Sequence, residues 1–463
     1  MVDIPRSPGA AQLEMSVTAP SMERDLTAKN YTGDADNIWN GGILGGIAVI
    51  NNGIDPPQAW NPTNVSTRLV DLPNWTANTT AKVVKPFKNF LVALNITEAG
   101  TEKPHMVWWS HLANPGTLPN SWDHADATKD AGRFELTDVS QGVIQDGMEL
   151  GELFMIYKDG STHALFFVGG THIFKRVNIF AATGILAQRC VKTLPAKKGK
   201  PTRHLVATGD DIIIHNARTA ESVLDRRMRK FLNTNLDPTN YARSYMVLNI
   251  REDEGWLCFP EQGESFPTLA IIWNYADGTL GVRDLDDAGY INSGVIDDTE
   301  GSDAWDDDTG AWDDDDSPWG SRQFNPQEVD LLQCSPSKQR FLQMDQTNQF
   351  GGFNFQSSLE RTGLTVSRLD RYGKPIADLT MRKLATRIWP RMSGGPVSIR
   401  LGAQEEINGT IVWQTAQIFT PGTDNYLDFT ANGRLLAIRI ESNADVSWGI
   451  EGYDLEVVEL GNI

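Results

Sequence analysis

Short apolar runs of about four to six residues recur along the chain, each closed by Gly, Pro, Asn or Asp, and this pattern predicts strands separated by tight turns. In order they include Gly46–Ile50, Phe90–Leu94, His105–Trp109, Leu153–Tyr157, Ala164–Val168, His204–Ala207, Asp211–Ile214, Tyr245–Ile250, Gly255–Phe259 and Leu269–Trp273. Several, such as Leu153-Phe-Met-Ile-Tyr157, are apolar at every position, so both faces of the strand are covered, as in stacked sheets. Four such strands make a propeller blade of about 40 to 50 residues. Between Trp39 and Arg371 there is room for about six blades with insertions, or seven without, and radial closure protects their edges. Stacked β-sandwiches are the competing arrangement.

Two stretches depart from this texture. In Thr219–Leu232, Leu224, Met228 and Phe231 recur at helical spacing behind Thr219, which predicts a short amphipathic helix capped by that threonine. Its polar face carries Arg226, Arg227, Arg229 and Lys230, a basic cluster that reads as a solvated or internally paired surface, or as a subunit or adaptor interface. After Tyr372-Gly-Lys-Pro375 the pattern becomes clean alternation: Leu436, Ile438 and Ile440 share a face, as do Trp448 and Ile450, and a phase shift at Gly452 predicts a β-bulge. The expected fold is therefore all-β, a β-propeller of about six blades plus a C-terminal antiparallel β-sandwich. Its expected divisions are an extended segment over 1–38, the propeller over 39–372 with an acidic insertion near 296–320, and the sandwich over 373–463.

Composition narrows the chemistry. The 463 residues include 60 acids against 41 Lys and Arg, a net charge of −19, which argues against a basic groove that grips nucleic acid or an anionic membrane. No run approaches the roughly 20 apolar residues of a membrane span, and the first thirty residues lack a secretory apolar core, so a soluble protein made in the cytoplasm is expected. The three cysteines, Cys190, Cys258 and Cys334, are far apart and read as buried thiols.

Catalytic signatures are weak. Gly41-Gly-Ile-Leu-Gly-Gly46 lacks the dinucleotide spacing, Lys198-Gly-Lys-Pro201 lacks a hydroxyl for magnesium, and neither a GxSxG elbow nor an HExxH helix occurs. His105, His111 and His124 are spaced irregularly for a metal site and read as solvated or hydrogen-bonded. Trp122–Asp130 offers carboxylates and a histidine, which are commoner as turn residues than as an acid/base pair. No enzyme, metal or cofactor is expected.

The sharpest local feature is an acidic tract, with 11 acids and no base between Asp297 and Asp316, and Trp305, Trp312 and Trp319 at intervals of seven. As a calcium loop it fails the EF-hand order, because Gly310 takes a ligand position. Asp308-Thr-Gly-Ala-Trp312 is one residue short of the Asp-box turn of sialidase-type propellers. The preferred reading is a long insertion anchored by its tryptophans, with Asp303, Asp306, Asp307, Asp308, Asp313, Asp314, Asp315 and Asp316 solvated or lining an electronegative opening.

An ordered set of segments carries a resemblance. It runs through Val49–Trp60, Phe87–Leu94, Val107–Ser110, Ala131–Phe134, Gly209–His215 ahead of the Arg-rich helix, Glu254–Pro260, Ala270–Tyr275 and Trp448–Val457. Together they resemble the tail nozzle proteins of short-tailed bacteriophages, also called packaged-DNA stabilisation or tail tubular proteins. The resemblance spans most of the chain and implies a propeller joined to a sandwich platform in a virion tail. It implies a homohexamer below the head-to-tail adaptor protein, tail fibre or needle proteins as neighbours, and a channel that retains and then conducts double-stranded DNA. Six copies at −19 each carry about −114 in total, and a bore of one sign keeps phosphates from adhering. The acidic tract has no counterpart in that pattern. The alternative is a β-propeller glycan-binding or glycan-hydrolysing protein that uses the Asp-box-like turn and exposed tryptophans.

Overall fold

A computed structural model describes residues 10–11, 30–62, 68–137, 142–170, 172–196, 201–294, 329–336, 340–345, 349–350, 353–354, 356–369, 374–407 and 409–461. The chain forms two compact units, Met1–Met344 and Asp345–Ile463.

The first unit is a β-propeller with six blades among the described residues. Blade 1 pairs Asn40–Leu44, Ile47–Asn51, Gln58–Trp60 and Val70–Asp71 in chain order. Blade 2 pairs Thr79–Phe87, Phe90–Glu98, Thr101–Trp109 and Gly132–Glu135. Blade 3 pairs Ile144–Leu150, Leu153–Lys158, Thr162–Phe167 and Phe174–Phe180. Blade 4 pairs Val191–Leu194, Arg203–Ala207, Ile212–His215 and Ala220–Ser222. Blade 5 pairs Tyr245–Asn249, Glu254–Phe259, Leu269–Asn274 and Leu280–Asp284. Blade 6 pairs Tyr290–Gly294, Asp330–Ser335 and Arg340–Gln343. All pairings are antiparallel, and the first strands of neighbouring blades touch in sequence around a central axis.

The all-apolar strands sit where the blades stack. Phe87, Val92, Val107 and Trp109 meet Phe154, Ile156 and Leu165 between blades 2 and 3, and Leu205, Val206, Ile213 and Ile214 join Met246, Leu257 and Ile271 farther round. Burying each of these side chains contributes about 1.5–3 kcal/mol, so the blade interfaces, with apolar residues on both faces of every middle strand, dominate the stability of the unit. Cys190 and Cys258 are buried free thiols and Cys334 is half-buried.

One polar chain crosses this core. Between blades 3 and 4, Tyr157 Oη lies 2.6 Å from His204 Nδ1 and 2.8 Å from His215 Nε2, and all three residues are buried. The Ala217 amide donates to His215 Nδ1 and His204 Nε2 faces the Glu149 carbonyl, which fixes both tautomers. His215 Nε2–H then donates to Tyr157 and Tyr157 O–H donates to His204 Nδ1, with both rings neutral. Burial pulls the pKa of His204 down to about 4 and that of His215 to about 3.

The second unit is an antiparallel β-sandwich. One sheet runs Ser357–Leu364, Leu435–Ser442, Val397–Gln404, Val412–Trp413, with Gln417–Phe419 also on Val397–Gln404; the other runs Leu427–Gly433, Arg382–Gly394, Trp448–Gly461. Ile399, Leu401, Leu436, Ile438 and Ile440 of the first sheet pack against Ala385, Ile388, Phe429 and Ala431 of the second. The bulge expected at Gly452 is present: Arg391 pairs with Gly452 and Met392 with Ile450, leaving Glu451 unmatched. The expected boundary at 372/373 is corrected, because Ser357–Leu364 belongs to the sandwich by its pairing with Leu435–Ser442. That strand exposes most of its residues and so lacks an apolar alternation to reveal it.

Candidate functional site

The basic cluster lies on the expected helix, which starts later than the sequence suggested. The helix α1 spans Arg226–Asn235, and its N-cap is Asp225, whose carboxylate accepts the Met228 amide at 2.7 Å. Thr219 caps nothing; its amide and hydroxyl both donate to Asn216 Oδ1 in the turn that closes the last hairpin of blade 4, and Ala220–Ser222 is that blade's outer strand. Leu232 anchors α1 in the core, with Met228 and Phe231 packed beside it and Leu224 buried just before the helix.

The four basic side chains divide. Arg229 is paired internally with Asp211, 2.9 Å away, and with the Ser222 hydroxyl, the internally paired arrangement that the sequence allowed for this cluster. Arg226, Arg227 and Lys230 are exposed and have no ion-pair partner among the described residues. Arg226 and Arg227 also occupy the first turn, which holds no acid, at the positive end of the helix dipole. Each cation there costs about 0.3–1 kcal/mol relative to a neutral residue.

A second group of polar residues links the first strands and entries of several blades. Asp146, almost fully buried on the first strand of blade 3, accepts Lys85 Nζ from blade 2 at 2.6 Å and the Arg189 amide at 3.0 Å. Arg189, in the left-handed region at φ 67°, donates its guanidinium to the Trp39 carbonyl at the entry to blade 1 and lies over the Tyr290 ring of blade 6. Burial holds its pKa below the usual arginine value. Gln188 reaches the Lys82 carbonyl of blade 2, and Lys82 itself bonds to Gln145 of blade 3. Desolvation lowers the Lys82 pKa, with Asp159 and Asp146 opposing. Arg189 therefore ties the entry to blade 4 to the entry to blade 1 and to blade 6, and Asp146 and Lys82 tie blades 2 and 3.

The acidic tract from Asp303 to Asp316, with Trp305, Trp312 and Trp319, lies outside the described residues. So does the Asp-box-like turn. His105, His111 and His124 are not brought together as ligands; His111 Nδ1 accepts the Asp130 amide, and His124 packs against Trp108. Asp123 and Asp126 accept the amides of Ala125 and Thr128, which makes them turn residues. Among the described residues there is no group of three or more His, Cys, Asp or Glu placed to hold a metal ion, and no helix is long and apolar enough to cross a membrane.

These residues were missed in the sequence because Lys82, Lys85 and Asp146 lie in first strands of mixed polarity, Thr79–Phe87 and Ile144–Leu150, and Gln188 and Arg189 lie in the connection before blade 4. Asp146 within Ile144–Leu150 was the available signal.

No family model matches the chain, and no curated protein matches it. Among solved structures, Hsv2p of Kluyveromyces lactis is similar at 11% identity and a TM-score of 0.31, covering 55% of this chain and 67% of that one. An exported protein of Bacteroides fragilis aligns at 10% identity and a TM-score of 0.30, over 58% and 80% of the two chains. An exo-beta-1,3-galactanase of Phanerochaete chrysosporium aligns at 8% identity and a TM-score of 0.25, over 85% and 97%. The propeller assignment rests on the strand pairing described above.

Proposed function

We propose that this chain is a structural tail nozzle protein of a short-tailed bacteriophage. It assembles as a homohexameric ring below the head-to-tail adaptor, meets tail fibre or needle proteins, and encloses the channel that retains and then passes double-stranded DNA without reading its sequence. The ordered motif likeness suggests this reading, and one structural observation supports it. Arg226, Arg227 and Lys230 stand exposed, without an ion-pair partner among the described residues, on a chain of net charge −19, two of them against the dipole of their own helix. Their placement is unfavourable within one protomer and favourable against an acidic surface, which a neighbouring copy offers. In this reading the DNA path is the lumen enclosed by the ring of copies.

The test reverses these charges. Wild-type chain, alone or mixed with an adaptor ring, should give six-fold particles in negative-stain images, and the triple variant Arg226→Glu, Arg227→Glu, Lys230→Glu should stay folded and monomeric. Rings that form equally well in the variant remove α1 from the interface; wild-type chain that never forms rings overturns the reading.

A further inference from the structure

The complement of the basic face of α1 is present in the same sequence. Between Asp297 and Asp316 stand 11 acids and no base, so this tract supplies −11 of the net charge of −19. Arg226, Arg227 and Lys230 are exposed and without an ion-pair partner among the described residues, whereas Arg229 is already held by Asp211. Three free cations side by side on a helix match a polyanionic segment in charge.

The topology sets the two at opposite ends of the propeller. Helix α1 lies in the connection from the outer strand of blade 4 to the first strand of blade 5. Its last turn is tied to the connection between the second and third strands of blade 5: Leu236 bridges Glu261, and the Gln262 side-chain amide donates to the Thr234 carbonyl at 2.6 Å. Strands alternate in direction through each blade, so the connection between first and second strands falls at the other end. At that end Gly294 and Asp330 pair across the first two strands of blade 6, and the chain between them carries the acidic tract. Taken out and back at about 3.3 Å per residue, residues 295–328 reach about 55 Å at most, far enough to meet a neighbouring molecule. The tract starts from the end of its own propeller that lies away from α1, which favours the helix of another copy.

A contact between two different surfaces of one chain is heterologous, and repeated about an axis it closes a ring, whereas a self-complementary patch stops at a dimer. We propose, resting on the homohexamer reading, that α1 docks the acidic tract of a second copy, with Arg226, Arg227 and Lys230 pairing with its aspartates head to tail.

The test uses the full chain. Isotope-labelled and unlabelled wild-type copies are mixed before assembly and treated with a carbodiimide, which joins the Lys230 amine to a carboxylate in contact with it. Peptides linking Lys230 to residues 297–316 should carry one labelled and one unlabelled partner. In a second arm, the combined variant D306N, D307N, D308N, D313N, D314N, D315N and D316N should raise the concentration needed for association about tenfold or more. Lysine at the same seven positions should restore association to the variant Arg226→Glu, Arg227→Glu, Lys230→Glu. Links confined to single chains, or rings of the neutral-tract variant at the wild-type concentration, overturn this contact and leave the ring standing. Mixed-label links in particles without six-fold symmetry sustain the contact and overturn the ring. Wild-type copies that never associate give no mixed-label links and overturn both.

Discussion

The guanidinium of Arg189 lies 4.2 Å from the centroid of the Tyr290 ring, and the same group donates to the Trp39 carbonyl. One side chain from the entry to blade 4 thus grips blade 6 and the start of blade 1. Among the described residues no strand is shared between the first and last sheets, so side chains supply the closure. Arg243 and Asp36, 2.7 Å apart, add a second tie between the entries to blades 5 and 1. Arg189→Ala should destabilise the propeller by about 2–4 kcal/mol, because it strips a cation–π contact and leaves a carbonyl without its donor. Arg189→Lys should fall between, since lysine keeps the charge and loses the planar stack. Denaturant melts followed by limited proteolysis check both, and an Ala variant as stable as wild type removes Arg189 from ring closure.

Acid should loosen blades 3 and 4 before other interfaces. His204 and His215 have folded pKa values of about 4 and about 3, below the ordinary value of 6.5. With the folded values depressed, the unfolded chain binds more protons between them and 6.5, so stability is full above about pH 6.5 and falls as pH drops toward 4. The slope is on the order of 1.4 kcal/mol per pH unit for each histidine. His215→Gln should shallow the fall in thermal midpoint between pH 6.5 and 4 to about half, against an unchanged slope if the pair is irrelevant.

Helix α1 separates stability from assembly. Asp225→Ala removes the N-cap and should cost about 1 kcal/mol. Arg226→Glu with Arg227→Glu places acids at the positive end of the dipole and should raise monomer stability by about 0.3–1 kcal/mol per site while abolishing rings. Thermal melts paired with particle counts read both. A variant that loses rings by unfolding instead would falsify the interface argument.

The sandwich should respond alone to its own core. Ile438→Ala, at a 2% exposed position between its sheets, should cost about 2–5 kcal/mol in the transition of residues 345–463 and leave that of the propeller in place. Differential scanning calorimetry resolves the two.

The sequence revealed the middle strands best. All ten apolar runs named at the outset coincide with strands, from Ile47–Asn51 to Leu269–Asn274; nine are second or third strands of a blade, covered on both faces, and Tyr245–Asn249 is the first strand of blade 5. The first strands of blades 2, 3 and 4 were harder to read, since polar residues interrupt them: Lys82 and Lys85 in blade 2, Asp146 in blade 3, Lys192 in blade 4. Outer strands such as Ala220–Ser222 are fully exposed and carry no pattern at all. The helix was found by its apolar spacing and its cap placed six residues early, because Thr219 and Asp225 are both good caps and only the Asn216 turn decides between them. The basic face was legible as composition; that Arg229 is occupied by Asp211 was not, since the partner comes from the preceding hairpin.

The most direct measurement is the mass of the purified wild-type particle by mass photometry, with and without the adaptor ring. At 51.2 kDa per chain, a homohexamer is about 307 kDa, and the account predicts that species at or above micromolar concentration or on addition of the adaptor. A particle that remains at 51.2 kDa under both conditions contradicts it.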